Sequence, residues 1–148
     1  MNGNIAKRMK DKCGTRKASI ETTSLSGSRE TGNQKLKEHL RETLDLDRVV
    51  TTNIVILELL QGCKTKKEYD ALQARLDVLP RYELNDKAWT IAYEAGYSLR
   101  RKGITVPTVD ILICSIAKEH SLSVLHHDEH IKAVSRDMGV KAVDFLKA

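Results

Sequence analysis

Val106 to Ala117 reads V-P-T-V-D-I-L-I-C-S-I-A, and a single carboxylate, Asp110, stands at the head of an almost wholly apolar stretch. Pro107 cannot continue a helix from its N-terminal side and Thr108 is a good N-cap, so a helix is expected to open near Val109. Ile111, Leu112, Ile113, Cys114, Ile116 and Ala117 leave that helix hardly any polar face, which predicts burial all round. An acid in a first helical turn can simply complement the helix dipole from the surface. The neighbours of Asp110 are buried types, however, so its carboxylate is expected to point into a crevice. There it has to be paired, hydrogen-bonded or bound to a metal.

A chain of 148 residues suits one domain with a sizeable core. Its 41% hydrophobic and 30% charged content fits a soluble globular protein. No apolar run approaches a membrane span and no secretory segment is evident near the start, so no membrane association is expected. Cys13, Cys63 and Cys114 are an odd number without metal spacing, which fits a reducing cytoplasm. The net charge of +5 is a property of the leader. Residues 1–17 carry six Lys and Arg against one acid, whereas residues 18–148 carry 19 of each sign. A short charged leader is more often solvated than engaged with nucleic acid, so this charge by itself does not point to RNA.

Residues 1–27 read as a basic, disordered leader, and Ser24 to Asn33 has a linker-like composition. Leu36, Leu40 and Leu44 predict a helix over Gln34–Leu44, and Val49–Thr52 a short buried strand. N-I-V-I-L-E-L-L-Q-G reads as a helix with Asn53 as N-cap and Gly62 just past its end, although its β-branched content also allows a strand. Lys64–Leu79 is amphipathic, Tyr82–Leu84 a candidate strand, and Asn85 caps a helix reaching Lys102, where Trp89, Tyr93 and Tyr97 form a ridge. That ridge suits packing against a helix or a partner better than stacking on bases. A strand over Leu122–Leu125, a helix over Asp128–Met138 and a strand over Lys141–Val143 follow. Short apolar strands alternating with helices predict an α/β fold with a parallel sheet covered on both faces.

Most acids in a soluble domain are solvated, but Glu58 lies within I-V-I-L-E-L-L, with apolar residues at every adjoining position. The plain alternative is a rim residue paired with Lys64 or Lys66. Asp128 follows the strand Leu122–Leu125, where a parallel sheet opens its ligand crevice, although an ordinary helix-capping role would explain it equally well. Together Glu58, Asp110 and Asp128 suggest an oxygen-lined site for Mg²⁺ or Mn²⁺. His126, His127 and His130 offer a rival zinc site, with His126 and His130 spaced to share a helix face, but they lack a Cys-x-x-Cys or a third distant histidine beyond the isolated His120 and His39.

Thr51–Gly62, Arg100–Ala117 and S-V-L-H-H-D-E-H-I over Ser123–Ile131, in this order and spacing, resemble the PIN-domain ribonucleases, specifically the VapC-type toxins of toxin–antitoxin pairs. The resemblance runs from about Ser28 to the C-terminus. It implies a PIN-like three-layer α/β/α sandwich over 28–148 with a short parallel sheet. It also implies a metal-dependent endoribonuclease that cuts RNA phosphodiesters through an acidic Mg²⁺ or Mn²⁺ site. By motif, Glu58, Asp110 and Asp128 are then the metal ligands and catalytic acids, and His130 stands where a further Asp often occurs. The implied partners are the RNA substrate, a small antitoxin protein and a second copy of the chain, and the implied location is the cytoplasm.

The chain departs from the family at its front, where members begin with a hydrophobic strand ending in an Asp-Thr or Asp-Ser pair. That Asp would fall near Lys17, and K-A-S-I-E-T-T-S-L carries no Asp there and is not apolar enough for a central strand. Asp11 and Glu21 are the nearest acids, and neither follows a strand-like run. A missing first strand would leave its neighbours short of backbone partners, and a missing acid would weaken metal binding. The alternative reading is therefore a catalytically impaired PIN-like remnant that binds an antitoxin or RNA.

Overall fold

The computed structural model describes residues 9–10, 16–17, 19–22, 50–126 and 128–144, with those before residue 50 described by backbone only. The expected helix over Gln34–Leu44, the start of the expected strand at Val49, and His39 and His127 lie outside these residues.

Three parallel strands form the described sheet. β3 (Ser19–Thr22) pairs with β4 (Ser123–His126), and β4 pairs with β5 (Ala142–Asp144). Ser19 lies level with Ser123 and Thr22 with His126, while His126 also lies level with Asp144. All three strands therefore end at the same edge, the position at which a parallel sheet offers its ligand crevice. β4 is buried along its whole length, with Val124 fully enclosed. Two shorter strands, β1 (Met9–Lys10) and β2 (Arg16–Lys17), form a separate antiparallel pair. Sequence composition put the first strand in doubt, yet Ser19–Thr22 runs beside β4 in register over four residues. β-branched Ile20 and Thr22 suit the extended backbone, and pairing along β4 supplies the stability that apolar content does not.

α1 (Asn53–Gln61) buries Val55, Ile56 and Leu59. Its N-cap is Thr52, not Asn53 as the sequence suggested: Thr52 Oγ1 accepts the Val55 N–H at 3.2 Å. Asn53 is already helical, and its side chain accepts from Arg81 at 3.1 Å. Thr51 and Arg81 make an isolated parallel bridge, in which Thr51 N–H donates to Pro80 O at 2.9 Å and Tyr82 N–H to Thr51 O at 2.8 Å. That bridge is all that forms of the expected strands around Val49–Thr52 and Tyr82–Leu84 among the described residues. α2 (Lys66–Leu76) opens on Thr65, whose hydroxyl accepts from Glu68 N–H, and stops three residues short of Leu79. Pro80 disfavours helical backbone at Leu79, the residue before it.

α3 (Asp86–Arg101) is capped by Asn85 at 2.8 Å and buries Ala88, Ala92, Ala95 and Leu99. Small residues on that stripe let the next helix, α4 (Thr108–Glu119), lie close against it. α4 carries the buried run Ile113–Ala117 and begins one residue earlier than expected. Pro107 occupies its N-cap position and no side chain caps it, so Thr108 enters the first turn instead. Its carboxyl end closes with Leu122 N–H on Ala117 O at 2.7 Å, which requires Ser121 to adopt a left-handed backbone, φ 53. The same closure ends α5 (Glu129–Met138), where Val140 N–H reaches Ser135 O at 2.8 Å and Gly139 takes the left-handed turn.

Candidate metal centre

α1 places Glu58 in the middle of an apolar helix, half-buried between exposed Leu57 and enclosed Leu59. Burial pushes its carboxyl above the usual value, and the Asp128 charge adds to the effect. Lys66, one of the lysines that would have made it an ordinary rim residue, pairs instead with Asp70 at 2.7 Å.

α4 delivers Asp110 in its first turn, where the apolar helix body and the sheet hold it partly out of water. Its carboxyl is pushed from 3.8 up to about 6, by burial first, then by Asp128 and Glu58, with His130 pulling the other way. Favourable placement at a helix N-terminus therefore loses here to desolvation and like charge. The Cys114 thiol one turn on is pushed up to about 12 by burial and by Asp110, which keeps it protonated.

Asp128 does two things at once. As N-cap of α5 its Oδ1 accepts the His130 N–H at 2.6 Å, and its own N–H donates to His126 Nδ1 at 3.1 Å. His126 ends β4 and is buried, and its imidazole is held below the usual value by burial, against the charges of Asp144, Asp128 and Glu129. His130 follows on α5, exposed, with Nδ1 3.5 Å from Asp128 Oδ1. The histidines expected to share a helix face thus belong to a strand end and a helix, because the helix begins only after Asp128. His120 packs on Tyr82, ring centroids 4.7 Å apart.

One donor atom each from Asp110, Asp128 and His130 lies within 4.8 Å of the other two. Of the three acids read from the sequence, two join this group. Glu58 stands outside the set but is coupled to it, raising Asp110 and being raised by Asp128. His130 was marked in the sequence by its place two residues after Asp128 and as a member of the rival zinc set. Glu21, dismissed for lack of a strand, lies in β3 level with Leu125, one residue before the strand end. Three neighbouring carboxylates fit a divalent cation, which removes the like-charge repulsion that helps raise Glu58 and Asp110. Two carboxylate oxygens and one imidazole suit Mn²⁺ or Mg²⁺, the nitrogen weighting the set toward Mn²⁺.

A family model described as the PIN domain matches residues 28–137. Among curated proteins none matches the chain. The fold is similar to several solved structures, one of them from the VapBC family of toxin-antitoxin systems. DNA-bound VapBC from Salmonella typhimurium aligns at 22% identity with a TM-score of 0.65, covering 78% of this chain and 92% of that one. VapBC-5 from Mycobacterium tuberculosis aligns at 22% identity and TM-score 0.55, covering 66% and 82%. FitAcB from Neisseria gonorrhoeae aligns at 17% identity and TM-score 0.61, covering 77% and 87%. The family match spans most of the chain and includes Glu58, Asp110 and Asp128, and the fold agrees with it: this chain belongs to the PIN-domain family.

Proposed function

We propose that the chain is a divalent-metal-dependent endoribonuclease, the toxin of a type II toxin–antitoxin pair, with Glu58, Asp110 and Asp128 as its working acids. The observation that carries this reading is the convergence of Asp110, Asp128 and His130 donors within 4.8 Å beside a coupled Glu58. That convergence falls in a PIN domain whose structural neighbours are VapBC and FitAB complexes. Asp110 and Asp128 would hold Mg²⁺ or Mn²⁺, with His130 as the nitrogen neighbour. A bound ion would neutralise charge developing on a phosphoryl group and acidify water. The cap bond from His130 N–H fixes the Asp128 carboxylate in one orientation. Glu58, with its raised carboxyl, takes the proton released by the attacking water. β3 ends in Glu21-Thr22 in register with β4, which makes Glu21 the acid to test in the part of the first-strand Asp. The partner is a small antitoxin protein, and a pair of chains is the working unit. No helix among the described residues is long and apolar enough to cross a membrane.

The test is Mn²⁺-dependent cleavage of structured RNAs by purified protein beside Asp110→Asn and Glu21→Gln. Cleavage by the wild type with loss in Asp110→Asn is the expected result. Equal cleavage by wild type and Asp110→Asn refutes the site. If no form cuts, the remnant reading replaces this one, and capture of the antitoxin becomes its function.

A further inference from the structure

We propose that the cleft between α5 and β5 is a phosphate subsite for the RNA strand, seating a phosphodiester beyond the one at the acidic centre; this rests on the ribonuclease reading above. The cleft has a volume of about 330 Å³ and is lined by His126, Lys132, Ser135, Arg136 and Asp144 among others. That volume is at the small end of ligand sites, room for a phosphate with part of its sugar. Lys132 and Arg136 are four residues apart on α5, on one face of the helix, and among the described lining residues they set two cations against one carboxylate, Asp144.

Continuity with the acidic centre identifies the ligand. Asp128 caps the helix on which Lys132 and Arg136 stand, so the two cations lie about one and two turns, roughly 6 and 12 Å, along the axis from that cap. His126 belongs to both places: its Nδ1 accepts the Asp128 N–H, and the residue lines the cleft. With Nδ1 accepting, the neutral ring carries its proton on Nε2, a donor suited to a phosphate oxygen. A single strand held at the acidic centre therefore meets, on its way along α5, a row of donors and cations of the kind that positions nucleic-acid backbones without reading bases. Among the described residues Lys132 pairs with the exposed Glu129, at 3.3 Å, a contact weak enough to exchange for a phosphate.

The test measures binding of a short labelled single-stranded RNA in EDTA, by fluorescence anisotropy over a range of salt. The proteins are wild type, Lys132→Ala/Arg136→Ala, and a control, Lys67→Ala/Arg75→Ala, that removes the same charge from exposed positions on α2. Loss of two phosphate contacts should weaken binding about tenfold at physiological salt and reduce the slope of log K on log salt by about 1.4, with the control unchanged. Lys132 and Arg136 are exposed, and a thermal melt confirms that the variant is folded. A double variant that binds like the control overturns the subsite while leaving the nuclease reading intact. If the double variant keeps RNA affinity but loses an acidic peptide, the cleft belongs to a protein partner and the proposal falls. A wild type that binds here but does not cut in the Mn²⁺ assay sinks the nuclease reading alone, and one that binds no RNA sinks both.

Discussion

Replacing Asp110 by Asn should make the metal-free protein more stable at neutral pH. Unfolded, this carboxyl releases its proton near 3.8, and folded it holds the proton up to about 6. Between those values the folded state binds more protons than the unfolded one, so stability falls as pH rises through the window. At about 1.4 kcal/mol for each tenfold in proton affinity, a sealed site would lose about 3 kcal/mol. Asp110 is only partly buried, and solvent screening reduces this to about 1–2 kcal/mol. The substitution also forfeits the attraction of the α4 N-terminus for a negative charge, about 0.3–1 kcal/mol. Repulsion and desolvation win, and the net gain for Asp110→Asn is about 1 kcal/mol at pH 7 and close to nothing at pH 4. Urea denaturation in EDTA at the two pH values measures both numbers. Manganese should reverse the order, stabilising the wild type by about 2.7 kcal/mol at a hundredfold excess over its dissociation constant while leaving the variant unmoved. A variant less stable than wild type in EDTA at pH 7, by more than at pH 4, would refute the reasoning. It would mean that the fold hydrogen-bonds the carboxylate instead of tolerating it.

Two further substitutions probe the frame. Ser121→Gly relieves a left-handed backbone at the end of α4 and should raise stability by roughly 0.5–1 kcal/mol, read as a higher melting temperature with unchanged metal affinity. Ile113→Ala empties a fully enclosed position behind the site and should cost about 2–5 kcal/mol, against about 0.5–1.5 for Ile113→Val, both measurable by denaturation.

The helical scaffold was legible because its signals are local. Asn85 caps α3, Gly139 turns α5 off, and the apolar run after Asp110 is buried from Ile113 to Ala117, with Ile111 and Leu112 only partly covered. Errors came where two local choices compete within a residue or two, as between Thr52 and Asn53 for the α1 cap. The strand Ser19–Thr22 was illegible for another reason. Four residues of mixed polarity carry no period of their own, and β4 recruits them from about a hundred positions away. The acids followed the same division: the apolar settings of Glu58 and Asp110 are written in their neighbours. The part of His130 depends on where α5 begins, and that of Glu21 on a pairing that only the folded chain displays.

Trp89, Tyr93 and Tyr97 remain on the outer face of α3, exposed by 39%, 68% and 71%. Trp89 is the sole tryptophan of the chain, and its ring centroid lies 5.9 Å from that of Tyr93. The protein therefore carries an optical reporter on its surface, fed by a tyrosine within energy-transfer range and open to collisional quenchers. A molecule that covers this face will shift its emission to the blue and shield it from iodide. A molecule that binds elsewhere will leave the spectrum alone, so the address of a partner can be read in a cuvette without a label.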